Sequence, residues 1–376
     1  MKNKRYVGLD VHAETVSAAV AEEGRDGEVR FIGVIENRPE AIRRLMRKLG
    51  ASRELRVCYE AGPTGYVVSR QLSEMGISCA VIAPSLVPTK AGDRIKTDRR
   101  DAERLARSHR AGELTAVWVP DEEHEALRDL LRAREAAKAD QLRARHRLLK
   151  FLLRHGKRPP EGVRSFNQRH EVWMRTLSMP TFASQAALED YLAEADHQRE
   201  RILRLEKAID EALGADRTGA SGLIGALECL RGVARISAAT LVAELGDLKR
   251  FTSARQLMSY AGLVPREHSS GSKTRRGAIT RTGNAHVRRI AVEAAWAYRH
   301  RPGTGPTLAK RQRGQDPRLI ELALKAQHRL CGRYRKLTAR GKTHPQAITA
   351  VARELLGFVW AIGQLVPAAQ RNSQAA

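Results

Sequence analysis

The first hundred residues alternate between two hydrophobic periods. "RYVGLDVH" is a compact apolar run, "TVSAAVAE" alternates through Val16, Ala18 and Val20, and "EVRFIGVIE" follows a turn at Asp26-Gly27. Period-two patterning of this length, broken by turn residues, predicts three strands. "EAIRRLMRKLG" then switches to helical spacing and stops at Gly50, a predicted C-cap. "ELRVCYE" predicts a fourth strand, "GYVVSRQLSEMG" a helix and "SCAVIAP" a fifth strand. Three strands followed by alternating helix and strand predict a mixed α/β sheet.

Beyond Asp98 the pattern is helical almost throughout. One helix is expected from Asp98 to about Leu114 and a long one from Asp121 to His155, ended by "GKRPP". Residues Arg158 to Pro180 give no assignable pattern. From Ser184 to Leu213 the apolar positions Leu188, Leu192, Ala195 and Ile202, then Leu205, Ile209 and Ala212, keep a coiled-coil spacing and predict an arm or dimerisation element. "LECLRGVARISAATLVAELGDL" predicts two helices about a turn at Gly232. Such a turn, with its amides outward, can hold a phosphate backbone; a plain helical hairpin is the equal alternative. The predicted organisation is a sheet domain over 1–120, a helical coiled-coil or dimerisation region over 121–215, and a helical domain over 216–376.

Charge narrows the partners. Lys and Arg number 67 against 42 for Asp and Glu, a formal charge of +25, and residues 281–376 alone hold 18 basic and 4 acidic residues. A surface of this sign repels itself unless a polyanion covers it, which points to nucleic acid ahead of an anionic membrane. The four cysteines (Cys58, Cys79, Cys229 and Cys331) are widely spaced, which argues against a zinc ribbon or a disulfide framework and fits a reducing cytoplasm. No signal peptide is visible, and the longest apolar runs read as too short to span a bilayer. The expectation is a soluble, cytoplasmic, nucleoid-associated protein.

Four carboxylates stand at meaningful positions. Asp10 lies near the end of the first strand, Glu60 ends the fourth, and Asp98 and Asp101 fall three apart in "IKTDRRDAERLA", on one helical face. Strand ends converge on one edge of an open sheet, so the four can meet there. Hard oxygen donors suit Mg²⁺ or Mn²⁺, and two such ions roughly 4 Å apart would clamp a phosphodiester. Each residue has a plainer reading: Asp98 as an N-cap with Asp101 beside it, Asp10 ending its strand, and Glu60 pairing with an arginine. Singly the plainer readings prevail; together, in this order, the set outweighs them. An actin-like kinase also begins with a strand bearing "GxD", but it needs a small Gly-Thr or Gly-Ser turn where this chain has Val11-His12-Ala13.

The stretch "PREHSSGSKTRRG", Pro265 to Gly277, sets three serines and two glycines among Arg266, Lys273, Arg275 and Arg276. A serine attacking a phosphodiester needs the phosphate neutralised, its own proton removed and donors aimed at the developing charge. The cations meet the first and third needs, and His268 is a nearby base. The alternative is a flexible basic loop whose serines only bond phosphates. Downstream, "TGNAHVRRIAVEAAWAYRH" predicts a helix capped at Thr282, with Arg288 and Arg289 inside it. Tyr298 and Tyr334 lie among basic residues and can stack on bases.

"YVGLDVH", "YEAGPTGY" and "IKTDRRDAERLA", together with the long string from "GVARISAATLVAELGDL" to "TRTGNAHVRR", resemble the DEDD-type insertion-sequence transposases of the IS one-ten class, the bridge-RNA-guided serine recombinases. The resemblance covers roughly residues 5–119 and 216–300. It implies a RuvC-like, RNase H-fold domain, a coiled-coil arm and a helical transposase domain. By position it implies Asp10, Glu60, Asp98 and Asp101 as the acidic four and Ser270, before Gly271, as the catalytic serine, with Ser269 and Ser272 as neighbours that could substitute. Arg266, Lys273, Arg275, Arg276, Arg288 and Arg289 would bind nucleic acid. The implied activity is site-specific recombination of an insertion sequence through a serine-phosphodiester intermediate, with Mg²⁺ in the acidic cluster. Its partners would be donor and target DNA, a structured guide RNA, and further copies of the chain in a dimer or tetramer. Two alternatives are a metal-dependent RuvC-like junction nuclease without serine catalysis and a non-catalytic nucleic-acid scaffold.

Overall fold

The computed structural model describes residues 4–88, 97–215, 219–271 and 273–366. The chain divides into two compact units, Met1–Val119 and Pro120–Ala376.

In the first unit β1 (Arg5–Val11), β2 (Thr15–Glu22) and β3 (Val29–Glu36) form an antiparallel meander. α1 (Pro39–Leu49) leads to β4 (Leu55–Glu60), then α2 (Val67–Glu74), β5 (Ser78–Ile82) and α3 (Asp98–Ala111). The strand order is β3-β2-β1-β4-β5, with β1, β4 and β5 parallel. This is the mixed sheet, RNase H-like in type, that the sequence predicted. α1 repeats its apolar residues at Ile42, Leu45, Met46 and Leu49, one helical stripe, and packs with Val7, Leu9, Val57 and Tyr59 on one face of the sheet.

The opposite face carries α3, and small residues set how closely it lies. Successive strand residues point to opposite faces, so Tyr6, Gly8 and Asp10 share the α3 side with Ala19, Ala21 and Cys58. Gly8 has no side chain because none fits: a Cβ there would stand 2.4 Å from the Ala102 carbonyl oxygen and 2.4 Å from the Ala106 nitrogen. Ala19, Ala21, Ala102 and Ala106 complete this close contact of helix and sheet. The Thr97 side chain, accepting from the Arg100 amide at 3.3 Å, caps the helix. Asp98 is therefore not the cap that its plainer reading supposed.

The second unit is largely helical. α4 (Glu122–Arg154) and α6 (Phe182–Ala215) run antiparallel: Leu127 and Leu131 share a core with Ile209 and Leu213, while Leu148, Phe151 and Leu152 pack with Leu188. Arg134–Glu206 and Arg201–Asp140 ion pairs join the two helices between those ends. Part of the apolar stripe read as a dimerisation seam is thus used within one chain. The unassigned segment contains a short helix, α5 (Gln168–Arg175), whose Met174 joins the core at the far end of this helical hairpin.

The remaining helices are α7 (Ser221–Glu228), α8 (Arg235–Leu245), α9 (Ala254–Tyr260), α10 (Ala285–Ala295), α11 (Pro306–Gln312), α12 (Pro317–Ala339) and α13 (His344–Leu365). From Ala238 to Leu245 every residue of α8 is buried, the mark of a central core helix. The Gly232 turn is not free on both sides, since a Cβ there would meet the Ala294 carbonyl oxygen at 2.3 Å. Close packing accounts for this glycine without a phosphate. α13 is long and apolar enough to cross a membrane by length and composition, contrary to the expectation that no run was. Its Ile348, Val351, Leu355, Leu356, Val359 and Ile362 lie in the core of the unit.

Candidate active site

Register brings the acidic residues to one end of the sheet. Leu9 pairs with Tyr59 across β1 and β4, so the next residues, Asp10 one short of the end of β1 and Glu60 at the end of β4, lie side by side. The flush packing of α3 carries its first turn, with Asp98 and Asp101, to the same end. Asp10, His12 and Asp98 form the tightest group, each offering one ligand atom within 4.8 Å of the others. His12 Nε2 lies 3.3 Å from Asp10 Oδ2 and 3.6 Å from Asp98 Oδ1. The other two carboxylates share a different partner: an Arg104 guanidinium nitrogen sits 2.7 Å from Asp101 Oδ1 and 3.6 Å from Glu60 Oε1.

Electrostatics make this end of the sheet receptive to positive charge. Burial pushes the Asp10 carboxyl above the ordinary range; His12 opposes that rise, while the charges of Asp98 and Asp101 add to it. A carboxylate held among other carboxylates is uncomfortable alone and comfortable beside a cation. Two carboxylates and one imidazole at this spacing could hold a divalent cation.

His12 and Arg104 were not singled out from the sequence, although both leave a signal there. His12 stands two residues beyond Asp10, the strand period that returns a side chain to the same face. Arg104 stands three beyond Asp101, one helical turn along.

The described residues of the serine segment form a hairpin of β6 (Pro265–Glu267) and β7 (Arg276–Ile279), where the sequence reading had assigned a loop. The His268 amide donates to the Arg275 carbonyl at 2.9 Å, and Ser270 and Lys273 exchange amide-to-carbonyl bonds at 3.2 Å. These pairs assign the two faces. Ser270, His268, Lys273 and Arg275 alternate onto one, with Arg266 opposite Gly277 on the same side. The other face holds Glu267, Ser269 and Arg276: the Ser269 hydroxyl bonds Glu267 Oε1 at 2.9 Å, and Arg276 Nε lies 3.4 Å from Glu267 Oε2. Ser270 stands exposed at the tip, whereas Ser269 is engaged with a carboxylate. Ser272 lies outside the described residues.

The segment that follows the hairpin is tied to a buried carboxylate. Glu244, on α8, receives a two-pronged contact from Arg132 at 2.7 and 3.0 Å and a 2.7 Å bond from Asn284 Nδ2. Asn284 Oδ1 in turn accepts from the Val287 amide, so Asn284 caps α10, the role the sequence reading gave to Thr282. Gly283 (φ 82°) precedes it with no room for a Cβ, which would meet the Tyr260 carbonyl oxygen at 2.1 Å. Inside α10, Arg289 is bound to Glu135 and Glu293, and Arg288 donates to the Ala261 carbonyl. Both expected nucleic-acid contacts are thus engaged within the unit, while Arg266, Lys273, Arg275 and Arg276 stand exposed. Tyr298 is fully buried and offers no stacking face.

Comparison with known proteins follows the same two regions. Residues 7–156 match a DEDD-type transposase family, and residues 225–309 match the Transposase IS116/IS110/IS902 family. The chain is 46% identical over 96% of its length to a putative transposase, y4qE, of Sinorhizobium fredii, covering 88% of that protein. It is 33% identical over 91% of its length to the transposase for insertion sequence element IS1533 of Leptospira borgpetersenii, covering 99% of it. A transposase for insertion sequence element IS1328 of Yersinia enterocolitica is 28% identical over 65% of the chain.

Proposed function

The chain belongs to the IS116/IS110/IS902 family of insertion-sequence transposases, and from that premise we propose that it breaks DNA strands at the acidic end of its sheet, with a divalent cation as cofactor. The observation that carries this reading is the convergence of Asp10, His12 and Asp98, with the Asp10 carboxyl raised by burial and by like charges. Asp10, Asp98 and His12 would hold Mg²⁺ or Mn²⁺, with Glu60 and Asp101 completing the acidic face. The ion would supply charge neutralisation at the scissile phosphate and a more acidic water. The chain's own contribution is positional: β1 and β4 fix two carboxylates, and the packing of α3 on Gly8 fixes the other two.

A second reading, favoured by the hairpin, gives Ser270 a covalent role. Ser270 shares its face with His268, Lys273 and Arg275, which puts a candidate base and phosphate-binding cations on the side of one exposed hydroxyl. In that step the Ser270 Oγ–phosphorus bond forms as one ester bond of the strand breaks. The serine proton passes to a base such as His268, and the departing strand oxygen takes up a proton. Rejoining is the reverse.

Donor and target DNA are the proposed substrates. A structured RNA that pairs with both is part of the proposal as what the family resemblance implies, as is assembly of at least two copies to hold two DNAs; the +25 formal charge supports a nucleic-acid partner in general.

Strand cleavage by Asp10→Asn and Ser270→Ala proteins separates the readings. Loss in Asp10→Asn with cleavage retained in Ser270→Ala supports cation-dependent cleavage alone. Loss in both, with a detergent-resistant protein–DNA species in the wild type, supports serine transfer assisted by the acidic cluster. Full activity in Asp10→Asn contradicts the proposal.

A further inference from the structure

The four carboxylates are spanned by two of the protein's own side chains, and one of these does not look like a ligand. His12 lies between Asp10 and Asp98 and can coordinate an ion in its neutral form. Arg104 lies between Asp101 and Glu60 and cannot, because a guanidinium has no lone pair to offer. Its placement is specific. It leaves α3 one turn beyond Asp101 and reaches across to the end of β4, its Nε buried with no hydrogen-bond partner. Asp101 itself is only 7% exposed, so its carboxylate has little water to fall back on.

We propose that Arg104 is an internal counter-ion that competes with the divalent cation for Glu60 and Asp101, and that it sets how tightly the site holds metal. This inference rests on the cation reading above and adds to it a residue that is neither ligand nor nucleophile. The competition has a simple physical basis. The oxygen of Asp101 that accepts from Arg104 at 2.7 Å uses lone pairs that an ion would take at roughly 2.1 Å. Bonding to the guanidinium leaves that oxygen a poorer donor to an ion, and the two cations repel each other. While Arg104 stays, the ion is left with Asp10, His12 and Asp98. When it swings away, Asp101 and Glu60 become available and the guanidinium is released at the edge where a phosphate would lie. Arg104 is a positioning residue in this scheme: it acts through the carboxylates.

The test is Mn²⁺ binding to the full-length protein, followed by electron paramagnetic resonance of the free ion, in wild type, Arg104→Gln and Arg104→Lys. Removing a like charge within a few ångströms of the site should tighten Mn²⁺ by about tenfold in Arg104→Gln. Arg104→Lys keeps the charge and should stay within about threefold of wild type. A purely structural role for Arg104 predicts the opposite for Arg104→Gln, namely weaker binding as Asp101 and Glu60 lose their anchor. Unchanged or weaker Mn²⁺ binding in Arg104→Gln, or equal tightening in both variants, overturns the inference. If Arg104→Gln does not fold, Arg104→Lys alone decides: affinity near wild type supports the charge argument, and tightening beyond threefold rejects it. Wild type that binds no Mn²⁺ refutes the cation reading itself, an outcome distinct from failure of the Arg104 inference.

Discussion

Gly8→Ala isolates the packing on which the acidic site depends, because it adds one methyl group and leaves every carboxylate in the sequence unchanged. The new Cβ would lie 2.4 Å from the Ala102 oxygen, 2.4 Å from the Ala106 nitrogen and 2.9 Å from Leu105 Cβ. Two of these are helix backbone and cannot rotate away. Ordinary contact begins at 3.4 Å, so α3 must retreat by about 1 Å. Overpacking of this kind typically costs about 1–3 kcal/mol, which should lower the melting temperature of the full-length protein by several degrees. The retreat also carries Asp98 and Asp101 away from β1. A catalytic group misplaced by about 1 Å commonly loses about a hundredfold in rate, so single-turnover DNA cleavage should fall by about that factor and Mn²⁺ affinity should weaken with it. Gly62→Ala is the control, since its Cβ would meet only the Glu60 carbonyl oxygen, at 3.9 Å. A Gly8→Ala protein that melts, binds Mn²⁺ and cleaves like wild type would refute the reasoning.

Asp10→Asn should abolish divalent-cation binding and cleavage yet leave the ion-free protein as stable as wild type or more so, because burial and neighbouring charges already disfavour the ionised form; calorimetry in chelator checks this. Glu244→Gln should destabilise the helical unit by about 1–3 kcal/mol, because the buried carboxylate loses charge-assisted bonds to an Arg132 that is itself partly exposed, measured by urea unfolding. Burial raises the Glu244 pKa, but bonds from Arg132 and Asn284 outweigh it and hold the carboxyl below its ordinary value. Its contribution is therefore full above the unfolded-state value and is lost as pH falls through the folded one, so wild type and Glu244→Gln should converge in strongly acid solution. Ser269→Ala should retain activity wherever Ser270→Ala loses it, because Ser269 is turned to Glu267 on the opposite face; gel assays of strand exchange decide. DNA binding should fall steeply as salt rises, with Arg275→Ala reducing the slope by about one unit and Arg289→Ala leaving it unchanged, since Arg289 is already paired.

The sheet was legible because each strand carries its own period and each turn its own breaker. Asp10 and Glu60 could be placed at strand ends for the same reason. What the sequence could not display was proximity across elements. His12 and Arg104 obey the local periods, but neither period says that a guanidinium on α3 reaches the end of β4. α5 was missed because Val172, Trp173 and Met174 are too few to set a rhythm after Pro159-Pro160, and Met174 finds its partners on α4 and α6. The hairpin read as a loop because serine, glycine and proline mark turns, while the pairing of Glu267 with Arg276 emerges only once the strands are opposed. The α6 stripe was read correctly as apolar; part of what it packs on, α4, lies in the same chain.

Anomalous diffraction from crystals soaked in Mn²⁺ tests the cation claim most directly. A peak is expected within coordination distance of Asp10, His12 and Asp98 in wild type, and none in Asp10→Asn. A saturated crystal with no peak among those three side chains, or a peak undiminished in Asp10→Asn, would contradict it.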